Sequence, residues 1–245
     1  MGLGAAYRTA VPRTTPLLRR RCGTLRLVEA ALIILFMVAC SAVGAVWGYR
    51  RLLRHQRAIS AFAESHGLKL DMDDPFGMIG LPLPLFQHRA QPRAKNVISG
   101  SDATGRPIRI FEYSFARGRN QELWTCAAGA VPGKHWPLLV IAPQAMPEAL
   151  ERLVVLSDID MESERFNRAF RVNGPDRRFA TALLDAQMIS WFVDREEDVR
   201  LHVEFGESWL VVARRGLIDT ELDQLLGDLT AIRDRIPHVV SELYE

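Results

Sequence analysis

Cysteine is scarce in this 245-residue chain, present only as Cys22, Cys40 and Cys126. Cys126 stands alone after residue 57, so a C-terminal domain can form no internal disulfide and needs no oxidising compartment. Paired histidines are missing too. His55, His66, His88, His135, His202 and His238 are widely scattered, none four residues from another or close to a second cysteine, which argues against zinc. Gly-x-Gly runs are absent where strand signals meet helix signals, so nothing cradles a nucleotide. Ser157, Ser190 and Cys126 lack a nucleophile-elbow context, and Cys126 between Thr125 and Ala127 reads as a core residue. No internal repeat is visible. These absences leave no catalytic, cofactor-binding or metal-binding residue to name.

The most telling absence is of charge between Ala30 and Tyr49. Those 20 residues also lack Asn, Gln, His and Pro. At about 1.5 Å per residue a helix of this length crosses the roughly 30 Å hydrocarbon core of a bilayer. Trp47 and Tyr49 mark its C-terminal edge, where amphipathic rings prefer the interface. Met37 to Cys40 approximates a lipobox and Ser41 to Ala45 offers small residues to a signal peptidase. The apolar run nonetheless continues past both and meets Arg50, Arg51, Arg54 and Arg57, a stop-transfer pattern. The expectation is therefore an uncleaved transmembrane helix.

Charge is divided along the chain. Of 31 Lys and Arg, ten Arg lie before residue 58 with one acid, Glu29; the remainder holds 21 against 28 acids, a net of −7. A basic membrane-proximal part before an acidic domain excludes nucleic acid as the expected partner. The bilayer itself, with anionic headgroups at the Arg50–Arg57 cluster, is the expected one, alongside a possible protein partner. Arg13, Arg19, Arg20, Arg21 and Arg26 precede the helix and four Arg follow it, so the positive-inside rule is nearly balanced. The denser post-helix cluster favours a cytoplasmic domain.

Boundaries follow from these patterns: a disordered basic tail over 1–29, the transmembrane helix over 30–49, a juxtamembrane helix over 50–67, and a soluble domain over 68–245. Leu52, Leu53, Ile59, Phe62 and Ala63 carry the helical stripe, which Gly67 ends. Leu68–Met72 alternates like a short strand. Asp73–Arg93 reads as a loop whose GMIGLPLPLF segment packs on the domain or dips into the membrane surface, packing being preferred. Strands are expected at Lys95–Ser99, Pro107–Phe115, Glu122–Ala130 and Leu138–Ala142, as an antiparallel meander. A helix follows over Met146–Leu156, then an extended stretch through Phe170 and Val172. Helices are expected at 176–184, capped by Asp176, and at 185–193. A hairpin joins Val199–Phe205 to Trp209–Arg214, and a helix capped by Asp219 runs to Ile236, with Arg233 and Arg235 suiting its dipole. Strands in blocks with helices at the end make the class α+β.

The block ESERFNRAFRVNGPDRRFATALLDAQM resembles the most recognisable stretch of an uncharacterised actinobacterial single-pass membrane protein family. It is also similar to a bacterial domain of unknown function, in which an F-x-V segment precedes a D-x-x-x-A-x-x-LL helix. Phe170, Val172, Asp176, Ala180, Leu183 and Leu184 occupy those positions. The resemblance implies an anchored, cytoplasmic domain and no particular activity; the long Arg-rich N-terminal tail departs from it.

One constellation invites chemistry. Asp158, Asp160, Glu162 and Glu164 recur at every second residue, so one strand would align all four, and such oxygen clusters hold Mg²⁺ or Ca²⁺. Without spaced glycines to shape an ion loop, a solvated face compensated by Arg165, Arg168 and Arg171 is the preferred reading. The basic, aromatic-interleaved stretch Arg165–Arg178 suits RNA or phospholipid, but beside these acids internal ion pairing is preferred. The expected role is binding or scaffolding at the membrane; the alternative is a membrane-anchored or exported metal-dependent enzyme built on the acidic cluster.

Overall fold

The computed structural model describes residues 17–87, 89–131, 135–146, 157–198, 200–217 and 220–244. Its first element is a single helix, α1 (Leu17–Ser65). Helix therefore begins inside the stretch expected to be disordered, and no break separates the apolar run from the Arg-rich one. The residues from Leu17 to Glu29 include no proline, and Leu and Arg are good helix formers, so nothing stops the helix propagating back from its apolar part. From Leu32 to Tyr49 every side chain is exposed to the surroundings, as a bilayer-embedded segment requires. This is a helix long and apolar enough to cross a membrane.

The chain divides into two units, 1–54 and 55–245. The second therefore begins thirteen residues before the expected boundary at 68. The cause is packing: Ile59, Phe62 and Ala63, near the end of α1, are buried in the domain core.

Among the described residues that domain is built on one antiparallel sheet of nine strands in the order β1-β2-β3-β4-β9-β8-β5-β7-β6. They are β1 (Lys69–Asp71), β2 (Ala90–Ser101), β3 (Pro107–Arg117), β4 (Asn120–Ala130) and β5 (Trp136–Pro143). The later ones are β6 (Ser157–Asp158), β7 (Phe170–Gly174), β8 (Leu201–Glu207) and β9 (Trp209–Arg215). The expected meander holds from β2 to β4, and the short strand expected at Leu68–Met72 pairs beside β2 as β1. It fails at β5, because the β8–β9 hairpin inserts between β4 and β5, with Cys126 opposite Ala213 and Ile141 opposite Val203. β8 and β9 are buried on both faces over most of their length, and so take the centre. β2 also reaches back to Ala90, shortening the expected loop. Its outer half is blunted by Pro92, by the left-handed Gln91 (φ 52°) and by Lys95.

Alternation along the strands sends two residue sets to two faces. Ile108, Ile110, Ala127, Val212, Leu201, Val203 and Phe205 meet the helices, in a core that includes Phe179, Leu183, Phe192, Leu225 and Leu229. Each such side chain stabilises the fold by about 1.5–3 kcal/mol on burial. The covering helices are α2 (Glu164–Ala169), α3 (Arg177–Leu183), α4 (Ala186–Val193), α5 (Leu222–Asp234) and α6 (His238–Leu243). Phe111, Tyr113, Trp124, Cys126, Val211 and Ala213 face the other way and are covered by Met78, Leu83, Leu85 and Phe86. The GMIGLPLPLF segment thus packs on the domain.

Two helix starts follow the local rules. The Asp176 carboxylate accepts the Phe179 N–H at 3.0 Å to cap α3, and Asp185 accepts the Met188 N–H at 2.9 Å to cap α4. At α5 the expected cap, Asp219, lies outside the described residues, and Glu221 at the N-cap makes no side-chain cap bond. The expected 146–156 helix lies outside them beyond Met146.

Candidate functional site

The acidic run reads as a solvated strand face or loop, and the structure spreads it over a strand end, a connection and a helix start. Asp158 ends β6, Asp160 and Glu162 lie in the connection to α2, and Glu164 opens α2 itself. The alternation has a packing cause. Ile159 and Met161 are buried, Ile159 donating its N–H to the Val172 carbonyl at 2.9 Å, so Asp158, Asp160 and Glu162 face water. Ser163 turns the chain by capping α2 through the Phe166 N–H at 3.3 Å, which takes Glu164 out of line. Asp158 accepts from Asn173 Nδ2 at 2.6 Å. Two of the three arginines expected to compensate the run bond other residues: Arg165 holds Glu196 at 2.8 Å, and Arg171 donates to Gln144 at 3.2 Å. The Arg165 hydrogen bond lowers the Glu196 carboxyl below its ordinary value. Among the described residues no three His, Cys, Asp or Glu group to hold a metal.

A cleft of about 570 Å³ opens beside this segment. Its apolar lining comes from Met161, Leu184, Ile189 and Val193, with Glu162 and Asp185 as its carboxylates. Asp185 is occupied in capping α4. The cleft therefore offers an apolar contact surface with a polar rim, not a pair of free carboxylates. A neighbouring cleft of about 600 Å³ is lined by Arg177, Arg178, Thr181 and Ala182.

The recognisable block is explained by packing. Phe170, Val172, Ala180, Leu183 and Leu184 are all buried, and Asp176 is a cap that also accepts the Tyr244 hydroxyl at 3.0 Å. The Phe179 N–H, with the Tyr244 hydrogen bond, holds the Asp176 carboxyl below its ordinary value.

Three buried ionic groups went unseen in the sequence, those of Arg214 and Arg233 because their partners are remote and that of Glu204 because the segment covering it is. Arg214 on β9, 0% exposed, reaches Asp198 at 2.6 Å and Asp228 on α5 at 2.8 Å. Asp228 also takes Arg195 at 3.2 Å; burial raises its carboxyl, against the pull of both arginines. Arg233 was expected to serve the helix dipole. Instead it is buried, holding Asp102 at 3.0 Å and the Pro107 carbonyl at 3.1 Å. On the opposite face, Glu204 is 0% exposed and His202 Nε2 lies 2.7 Å from its Oε1. Four of the six scattered histidines lie beside a carboxylate: His55 with Glu112, His66 with Asp223, His135 with Glu207 and His202 with Glu204. His88 lies outside the described residues. Burial, aided by Glu204, raises the Cys126 thiol well above its ordinary value, which keeps it a protonated core residue.

No protein-family model matches the chain, and no curated protein sequence does. Among solved structures it is similar to the crystal structure of a mycobacterial protein, the trehalose monomycolate transport factor A, TtfA. The TM-score is 0.57 at 16% identity, over 75% of this chain and 96% of that one. At that identity the likeness shows a shared α+β fold.

Proposed function

We propose that this chain is a single-pass membrane protein whose α+β domain binds or scaffolds other components at the membrane surface, without catalysis. The observation that carries the reading is α1, whose apolar run from Leu32 to Tyr49 is left uncovered by protein and is followed at once by Arg50 and Arg51. A basic N-terminal segment, an anchor over 30–49 and a domain that starts at His55 and takes in the end of α1 complete the organisation. The Arg50–Arg57 cluster meets anionic headgroups of the cytoplasmic leaflet, each arginine contributing about 1 kcal/mol near the surface. The domain is then cytoplasmic and the source actinobacterial. The structural neighbour is a trehalose monomycolate transport factor, which supports an accessory role in transport of the same broad kind.

The competing metal-dependent enzyme is not favoured, since Asp158, Asp160 and Glu162 face water beside a buried apolar row and Glu164 departs into a helix. Two measurements test the proposal. A C-terminal reporter active only in the cytoplasm supports the orientation, and one active only outside overturns it. The mass of the mature chain supports the anchor if residues 30–49 are retained; a lipidated form starting at Cys40, or one starting near Ala45, overturns it.

A further inference from the structure

The alternation of β8 points His202, Glu204 and Gly206 away from the helices, toward what the sequence presents as a wet face. The strap 77–87 covers that face. Leu83 and Leu85 are 0% exposed, and a Cβ on Gly206 would come within 2.9 Å of Leu83 Cδ2, so glycine lets the strap lie this close. Pro82 and Pro84 leave the strap few donors. The Leu83 N–H goes to the Leu81 carbonyl, and those of Phe86 and Gln87 to the Leu83 carbonyl. The Leu85 N–H instead lies 3.1 Å from both oxygens of Glu204, across 119 residues of sequence. Arg89 grips the other side, donating to the Leu85 carbonyl at 3.1 Å and the Pro84 carbonyl at 3.3 Å.

We infer that the buried His202–Glu204 pair is a latch on this strap, and that the charge on Glu204 sets how often the strap opens from the sheet. An ionised carboxylate accepts from the Leu85 N–H and from His202 together. A protonated or amide side chain keeps one acceptor oxygen but loses the charge that strengthens both bonds, and the O–H or N–H₂ replacing the other oxygen faces the Leu85 N–H donor to donor, which favours opening. The other groups facing the pair hold their charge. On β3 burial raises the Tyr113 hydroxyl, on β4 it raises the Cys126 thiol, and beside the strap Arg89 remains a cation. Glu122 and Arg117 act on Arg89 from further out, and β9 presents Val211 and Ala213. Opening uncovers Leu83, Leu85 and Phe86 together with their floor of Phe111, Tyr113 and Trp124.

Hydrogen exchange on the full chain in detergent tests the latch, with the Ala127 amide at the centre of the sheet as internal reference. Glu204→Gln is expected to lower protection of the Leu85 amide about tenfold at neutral pH, leaving Ala127 unchanged. Equal protection in the variant and the wild type, or a parallel fall at Ala127, overturns the inference. Should Glu204→Gln fail to fold, Glu204→Asp decides, since the shorter carboxylate keeps its charge but falls short of the Leu85 N–H: selective loss at Leu85 supports the latch, and parallel or no loss overturns it. The anchor reading stands or falls separately.

Discussion

The Arg233 guanidinium lies across Gly129, so close that a Cβ at position 129 would sit 1.5 Å from one of its terminal nitrogens and 2.6 Å from its central carbon. The side chain reaches from α5 over β4 to Asp102, with 2% and 4% of the two side chains exposed. Gly129→Ala must displace the guanidinium from Asp102, which keeps Thr104 and Arg106, and so leaves the buried Arg233 cation without its carboxylate. Breaking a buried pair in this way costs about 3–5 kcal/mol. Denaturant unfolding of the full chain in detergent should show that loss. Gly129→Ala combined with Arg233→Met should cost less than the sum of the two single changes, because the clash is then gone.

Asp102 makes the same network sensitive to acid. Burial pushes its carboxyl up, but hydrogen bonds from Thr104 and Arg106 overcome this and hold it well below the ordinary 3.8. A carboxyl depressed in the folded state stabilises above its unfolded value and loses that contribution as pH falls through the folded one. The wild type should therefore lose stability below about pH 4. Asp102→Asn, less stable at neutral pH, should show a shallower loss over the same acid range. Unfolding curves between pH 5 and 2 measure both slopes.

Asp176 joins the start of α3 to the C-terminal Tyr244. Asp176→Ala removes the cap and the hydroxyl's acceptor, and should cost about 1–2 kcal/mol. Asp176→Asn keeps a capping oxygen and should cost much less. Thermal unfolding ranks the two, and equal losses would mean that the charge, not the cap, is what matters.

What the sequence made legible was local. The Asp176 cap, the break before Asp185, the β8–β9 hairpin and the long α5 each depend on residues within a few positions, and each is found. What it hid was remote pairing. Nothing near β5 announces that a hairpin some sixty residues later will separate it from β4. The LHVEFGE pattern of β8 looks half-wet, since a polar alternate row ordinarily faces solvent. Only the strap from residue 77 onward, anchored by its Leu85 N–H, turns Glu204 into a buried group. Arg233 misled for a similar reason: at a helix C-terminus a cation needs no further partner, so its reach to Asp102 was not required by anything local.

The acidic run separates the binding module from the enzyme by direct measurement. Were Asp158, Asp160, Glu162 and Glu164 to share a divalent cation, the ion would stabilise the folded state by about 2.7 kcal/mol at a hundred times Kd. The geometry gives them different neighbours: Asp158 bonds Asn173, Asp160 and Glu162 face solvent, and Glu164 lies in the first turn of α2. Millimolar Mg²⁺ or Ca²⁺ should accordingly leave the melting temperature unchanged. Asp160→Asn, which touches only an exposed carboxylate, should cost well under about 1 kcal/mol. A rise of several degrees with either ion, abolished by Asp160→Asn, would mean that the run rearranges to gather its oxygens, and the metal-dependent enzyme would then displace the binding module.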